Sequence, residues 1–370
     1  MTEWPLKTLG EVCEVVNGAT PKTNVKEYWG GSHAWITPAE MGNLDSPFLS
    51  NSRRTLSDQG LAACSATLVP PRTVILSSRA PIGHLVINEV PMATNQGCKS
   101  LIPKDGLNSI FLYYYLKANV ELLDSLGTGA VFKELSGTQL KTVEIPVPPL
   151  EEQKRIVALL DAATARIIEL TACYEQARTH ANNLFTSALR DALESNSEWP
   201  VKTLSQILEL SYGKPLEAQD RDDKGSVPVY GANGVKAYSR KSLVAGPSII
   251  VGRKGSAGEL NFCEGPFWPL DVTYYVEHDA NETDLSFLHY LLSLMDLPSL
   301  AKGVKPGINR NDVYALQSTV PPLEEQKKIV SRLDSMRAKT SEMVSAYDEK
   351  LTAANNLRQS ILKSAFTGEL

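Results

Sequence analysis

The chain has 370 residues, 42% hydrophobic and 21% charged, the composition of an ordinary soluble globular protein of two to three domains. It has no run of about 18 apolar residues, so no membrane span is expected. MTEWPLKTLG also lacks the basic-then-apolar order of a secretory signal. The formal net charge of −5 gives no overall attraction to nucleic acid, and five cysteines, odd in number and never in CxxC spacing, read as free thiols of a cytoplasmic protein.

The first marker is EWPLKTL at Glu3, which returns as EWPVKTL at Glu198, 195 positions later. Downstream, Gly18 and Pro21 in NGATPKT are echoed by Gly213 and Pro215. EYWGG and WITPAEM (Glu27 to Met41) come next, then the pair Arg53 and Arg54. TVILSSRAPIGHL (Thr73 to Leu85) parallels SIIVGRKGSAGEL (Ser248 to Leu260), and the β-branched opening of each predicts a short strand. From Gln59 to Asn88 there are Arg72 and Arg79 but no acid. Asn95 and Gln96 have the amides that pair with adenine edges, although an amide pair in a loop is as readily a turn. IFLYYYL (Ile110 to Leu116) parallels SFLHYLL (Ser286 to Leu292), and each predicts one buried helix.

VPPLEEQK then occurs twice, at Val147 to Lys154 and at Val320 to Lys327, 173 positions apart. An internal repeat governs the whole fold reading. Pro148, Pro149 and Pro322 suit a helix start, where a missing N–H is harmless, and Glu151 and Glu152 suit the positive end of the helix dipole. An apolar seam at 4-3 spacing follows: Ile156, Leu160, Ala163, Ile167, Leu170, Tyr174, Ala177, Ala181, Leu184 and Ala188. The second copy runs Ile329, Leu333, Met336, Thr340, Met343, Tyr347, Lys350, Ala354, Leu357 and Ile361, with Thr340 and Lys350 as departures. A narrow seam over some 40 residues predicts a coiled coil roughly 60 Å long. The simplest partner for each helix is the other, running antiparallel, with SNSE (Ser195 to Glu198) as the link into the second globular segment. In that segment YGANG (Tyr230 to Gly234) predicts a turn between strands. Lys224 to Gly258 carries Lys224, Lys236, Arg240, Lys241, Arg253 and Lys254 and no acid. The glycines of GRKGSAG (Gly252 to Gly258) could offer backbone N–H groups to a phosphate; a tight turn with solvated cations is the alternative.

No catalytic constellation is present. The chain has no P-loop, no HExxH, no GxSxG, no glycine-rich fingerprint placed for S-adenosylmethionine or a dinucleotide, and no Pro-Pro motif of the amino-methyltransferase type. No metal site is expected. Basic, acid-poor stretches fit phosphate neutralisation, although such runs are commonly solvated faces. The candidate DNA contacts are Lys22, Arg53, Arg54, Arg79, Asn95, Gln96 and Lys133 in the first segment. In the second they are Lys214, Lys236, Arg240, Lys241, Arg253, Lys254, Lys305 and Arg310.

Taken together, the twin VPPLEEQK helix openings ending near ANNL, the WPLKTL and WPVKTL pair, NGATPKT with EYWGG and WITPAEM, and VYGANG with IIVGRKGSAG resemble the specificity subunit of Type I restriction-modification systems. The resemblance covers essentially the whole chain. It implies an α+β fold: two mixed α/β target recognition domains related by pseudo-twofold symmetry and separated by an antiparallel coiled coil. The expected boundaries are 1–147 and 198–320 for the recognition domains and 148–192 and 321–366 for the helices. Each domain would read one half of a split double-stranded DNA site, and divergence between the copies predicts an asymmetric one. The implied partners are two methyltransferase subunits, which bind S-adenosylmethionine and methylate adenine N6, and two motor-nuclease subunits. This chain would bind no cofactor and catalyse nothing. The alternatives are a structural coiled-coil adaptor without DNA contact and a self-contained methyltransferase.

Overall fold

The computed structural model of the protein describes residues 4–44, 46–129, 133–194, 198–222 and 224–367. The expected link at 195–197 lies outside the described residues. Two compact units divide the chain: residues 1–174 with 349–370, and residues 175–348.

In the first unit, a five-stranded sheet runs in the order Cys13–Asn17, Cys98–Pro103, Val74–Ser78, Ile82–Asn88, Phe48–Leu49. A smaller sheet places Trp29–Ile36 between Arg54–Leu56 and Met92–Thr94, the latter pairing being parallel. Leu6–Thr8 pairs antiparallel with Glu144–Pro146, closing the segment just before the first long helix. Val74–Ser78 is buried along its whole length, as a central strand; Val74, Ile75 and Leu76 supply apolar packing, and the Ser77 hydroxyl donates to Pro81 O at 2.8 Å. Helix Ser109–Ala118 lies in the main core with Phe111, Leu112 and Leu116 fully buried.

The second unit repeats this wiring with other residues. Its four-stranded sheet runs Glu209–Tyr212, Thr273–Glu277, Ser248–Gly252, Leu260–Cys263, matching the first four strands above in order and direction. Val227–Gly231 sits between Gly234–Ser239 and a parallel partner at Trp268–Pro269, the YGANG stretch forming the hairpin turn at Gly234, whose φ is 106°. Val201–Thr203 pairs with Gln317–Thr319, and Leu285–Leu294 is the buried helix.

The repeated VPPLEEQK has a physical job. In the first copy its glutamine, Gln153, is fully buried. Its Oε1 accepts from the Asn108 N–H at 2.8 Å, and its Nε2 donates to the carbonyls of Gly106 and Pro148, both at 2.8 Å. Gln326 does the same in the second copy, accepting from the Asp284 N–H at 2.9 Å and donating to Glu282 O at 3.1 Å and Pro321 O at 2.8 Å. Asn108 and Asp284 are the N-caps of the two domain helices. One amide thus joins the start of a long helix to the start of a domain helix. A second tie follows two turns on: Tyr114 donates to Asp161 at 2.6 Å, and Tyr290 to Asp334 at 2.5 Å. Burial first, and the carboxylate second, hold both phenols above their ordinary titration range.

The long helices are uninterrupted, Leu150–Glu194 and Leu323–Thr367. In the first unit, Ile156, Val157 and Leu160 share a core with Ile361, Leu362, Ala365 and Phe366. In the second, Leu189 and Leu193 share one with Ile329 and Leu333. Within each unit the start of one helix therefore meets the end of the other, an antiparallel arrangement. Of the expected seam, Ile156, Leu160, Ile167, Ile329 and Leu333 are buried, and Leu170, Tyr174, Met336, Tyr347 and Ile361 are half-buried.

The strict heptad does not hold throughout. Leu184 is 50% exposed, and Phe185 and Leu189 pack on the core in its place. An α-helix turns every 3.6 residues, so a fixed 3.5 count drifts by about 20° per heptad and carries the later slots off the contact face. In the second helix the order of long and short steps is exchanged, through Thr340, Val344, Tyr347, Leu351 and Ala354. This leaves Met343 at 41% and Leu357 at 51% exposure. Thr340 is buried, its hydroxyl donating to Met336 O at 3.0 Å, so it belongs to the contact face. Lys350 stands outside that face, its ammonium 5.5 Å from the centroid of the Tyr174 ring.

Candidate nucleic-acid interface

Arg79 and Lys254 follow the central strand of each unit, Arg54 and Lys236 lie on strands of the smaller sheets, and Arg310 opens the helix Arg310–Tyr314. The first glycine of each Gly-Pro echo is needed for a close approach. A Cβ on Gly18 would stand 2.0 Å from Asn95 O, and one on Gly213 would stand 2.1 Å from Leu270 O. The chain can pass that close only without a side chain. A tryptophan indole fixes each crossing, Trp35 donating to Ala19 O at 3.0 Å and Trp268 to Lys214 O at 2.9 Å.

In the first unit, Arg79 follows the central strand and pairs in backbone register with Glu134. The Glu134 carboxylate lies 3.5 Å from Arg79 and 3.7 Å from Lys99, whose side chain is almost fully buried. Lys133 pairs with Asp124 at 2.6 Å. The Arg54 guanidinium lies 3.5 Å above the Trp29 ring centroid, and Arg53 and Lys22 are exposed. Asn95 is committed to the fold: its Nδ2 donates to Thr20 at 2.8 Å and to Gln96 at 2.9 Å, and its Oδ1 accepts from the Gly97 N–H at 2.8 Å. This is the turn alternative, and it removes Asn95 as a bidentate adenine reader. Gln96 is exposed, its Oε1 taken by Thr20 and Asn95.

In the second unit the acid-free run does not stay acid-free in space. The hairpin returns the preceding loop to it, with the Asp222 N–H donating to Tyr238 O at 3.0 Å. Arg240 thereby pairs with Asp222, and Lys241 with Asp220 at 2.7 Å. The Lys224 backbone N–H first, then Arg240, hold the Asp222 carboxyl below its usual range. Lys236 lies exposed on the same hairpin.

The GRKGSAG turn is likewise not a backbone phosphate cradle. The N–H groups of Gly252, Arg253, Lys254, Gly255, Ala257 and Gly258 all donate to carbonyls, those of Glu259, Val272, Val272, Pro306, Gly255 and Gly252 respectively. What the turn offers is side-chain charge. Arg253 donates from Nε and Nη2 to Asp271 O at 3.1 and 2.7 Å, and its guanidinium lies 5.5 Å from the Tyr212 ring centroid. Arg310 lies 5.3 Å from the same ring. Tyr212 is 47% exposed and stacks edge-on against Tyr274 at 5.1 Å. Lys254 is bridged to Gly307, and the 302–307 turn carries the exposed Lys305. Lys302 there pairs with Asp312 at 2.8 Å. Lys214, two residues beyond Tyr212, is exposed.

Sequence reasoning missed Tyr212, Trp29, Lys99 and Glu134. Tyr212 had a usable signal, since it directly precedes the duplicated glycine at the position where the first copy has Asn17. Lys99 and Glu134 come together only through the sheet. Among the described residues no cluster of His, Cys, Asp or Glu could hold a metal, and no helix is long and apolar enough to cross a membrane.

A family model described as the Type I restriction modification DNA specificity domain matches twice, at residues 1–177 and 196–353. The chain is 42% identical over 160 residues to the MjaIX specificity subunit of Methanocaldococcus jannaschii, a match spanning 43% of this chain and 37% of that protein's length. It is 25% identical over 369 residues to the EcoprrI specificity subunit of Escherichia coli, covering 94% of this chain and 91% of the relative. Among solved structures, a chain described under complex assembly and conformational transition of the type I R-M system superposes with a TM-score of 0.83 at 18% identity, covering 100% and 99% of the two chains. The HsdS subunit of Thermoanaerobacter tengcongensis gives 0.64 at 18% identity, covering 100% and 98%. The fold is that of these subunits, α+β with two recognition segments and long paired helices, and the two family matches take in nearly the whole chain: it belongs to the Type I restriction-modification specificity subunits.

Proposed function

We propose that each recognition segment reads one half of an asymmetric bipartite DNA site, and that the long helices set the spacing and dock two methyltransferase subunits. Those subunits supply S-adenosylmethionine and the methylation of adenine N6, and two motor-nuclease subunits complete the restriction assembly in the cytoplasm. The chain itself selects sequence and performs no chemistry. One observation carries this reading: a single wiring occurs twice, and its strand and helix ends, where the loops begin, hold different side chains in the two copies. Asn17, Ser78 and Gly137 of the first copy stand where the second has Tyr212, Arg253 and Arg310. A scaffold that tolerates both sets does not require either, so the difference belongs to what is bound.

Exposed lysines and arginines around these loops provide the phosphate neutralisation that positions a reader on a duplex. Arg79, Lys133, Arg240 and Lys241 can join them only by leaving a carboxylate. That exchange is inexpensive on the cation side, since a surface lysine or arginine trades one anion for another with little net change. The exposed Leu184, Met343 and Leu357 give the long helices apolar positions for docked subunits.

The test is binding of the assembled methyltransferase to its mapped cognate duplex across a salt series. The logarithm of affinity should fall linearly with the logarithm of salt, by about 0.9 per phosphate contact. A complex that assembles but binds DNA without salt dependence would support the adaptor reading. Tight S-adenosylmethionine binding by the isolated chain would support the self-contained enzyme.

A further inference from the structure

The second segment holds two guanidiniums at one tyrosine, and the two are not equivalent. Arg253 uses Nε and Nη2 on the Asp271 carbonyl, so part of its donor fork serves the main chain. Arg310 lies 5.3 Å from the Tyr212 ring centroid, is half-buried, and has no carboxylate within ion-pair distance among the described residues. Its donors remain available while its position is restrained. A guanidinium held at a ring loses less freedom on binding than one on a free stem, and its planar fork matches two acceptors in one plane.

We propose that Arg310 reads a guanine in the half-site of the second segment, its fork donating to O6 and N7 in the major groove. Tyr212 is the positioning residue, and Arg253 is the cation that keeps the site basic. The assignment rests on the DNA-reading function proposed above and adds the base and the residue. Guanine is favoured over a phosphate by the division of labour on the page. Lys214, Lys254 and Lys305 are exposed nearby and suffice for phosphates, which need charge but not a planar fork. The duplication supplies an internal control. At the same three places the first segment has Asn17, Ser78 and Gly137, and Gly137 approaches Asn17 closely, a Cβ there standing 3.2 Å from its Oδ1. At these three places the first segment therefore has no such guanidinium; its own ring-held one, Arg54 over Trp29, stands on a different strand, so the guanine assigned to Arg310 belongs to the half-site of the second segment.

The experiment uses the assembled methyltransferase with wild-type or Arg310→Lys subunit. Mapping of methylated adenines defines the site, and a panel of duplexes with every base pair of both half-sites substituted singly is then measured at one salt concentration. The wild-type complex should reject replacement of one G·C pair, in one half-site, by roughly 5- to 150-fold. Arg310→Lys keeps the charge and should lose that discrimination alone, with the other positions and the salt slope unchanged. Lys254→Ala should instead weaken all duplexes alike and lower the slope by about one contact. If Arg310→Lys discriminates at every position as the wild type does, the assignment is overturned and Arg310 is a phosphate contact. If the loss falls at an A·T pair, the assignment to guanine is overturned. A wild-type complex that binds all duplexes equally would overturn the DNA-reading function itself, before the variant is considered.

Discussion

Gln153 and Gln326 are fully buried and have little freedom to change. Each satisfies one N–H and two carbonyls with a single amide, the bonds to Pro148 O and Pro321 O being buried and the others part-buried. Leucine is close to glutamine in volume but pairs with none of these groups. Each orphaned buried group costs about 1–3 kcal/mol, with partial relief by water at the less enclosed carbonyls. Gln153→Leu should therefore destabilise the protein by about 2–4 kcal/mol, read as a lowered urea midpoint at unchanged slope. The repeat of VPPLEEQK was legible in the sequence, whereas the clamp was not. The partners of Gln153 at 106 and 108 lie more than forty positions upstream, and nothing in their own spacing points to it. The same limit applied to Arg240 and Lys241: a run without acids says nothing about the acids that a hairpin lays beside it.

At the scale of the element, the helices teach a complementary lesson. Their existence, their starts at the Pro-Pro pairs and their antiparallel pairing within each unit were legible from period and punctuation. The identity of the contact residues was legible for the first two or three heptads and then was not, because small departures from 3.5 residues per turn accumulate. The corrected face makes a direct prediction. Leu184→Gln should leave the stability of the isolated chain within about 0.5 kcal/mol. Leu189→Ala, on the buried side, should cost about 2–4 kcal/mol. Paired urea unfolding curves decide this, and a larger loss at Leu184 than at Leu189 would restore the strict heptad. The strands were legible as β-branched runs, but their order was not, since sheet order depends on non-local pairing.

At the scale of the whole molecule, the two compact units are built differently from the chain. The second is continuous, from Glu175 to Asp348, and the first is assembled from residues before Glu175 and after Asp348. Phe366 seals the first, its ring 5.2 Å from both Phe111 and Tyr115. Phe366→Ala should open the core around Phe111 and Ile156, costing about 2–3 kcal/mol because the ring is only partly buried. Hydrogen exchange should show the loss in the strands Val74–Ser78 and Cys98–Pro103, leaving Ser248–Gly252 protected as before. A uniform loss across both units would contradict this division.

That division also sets an order of birth. A chain emerging from the ribosome has the complete second unit once Asp348 is out, while the first, although translated earlier, still awaits the stretch that begins at Glu349. Until then the faces of Phe111, Tyr115 and Ile156 stay uncovered, so of the two units the one begun first is the later to mature. Premature termination just after Asp348 should therefore harm the unit that precedes Glu175 more than the unit between Glu175 and Asp348.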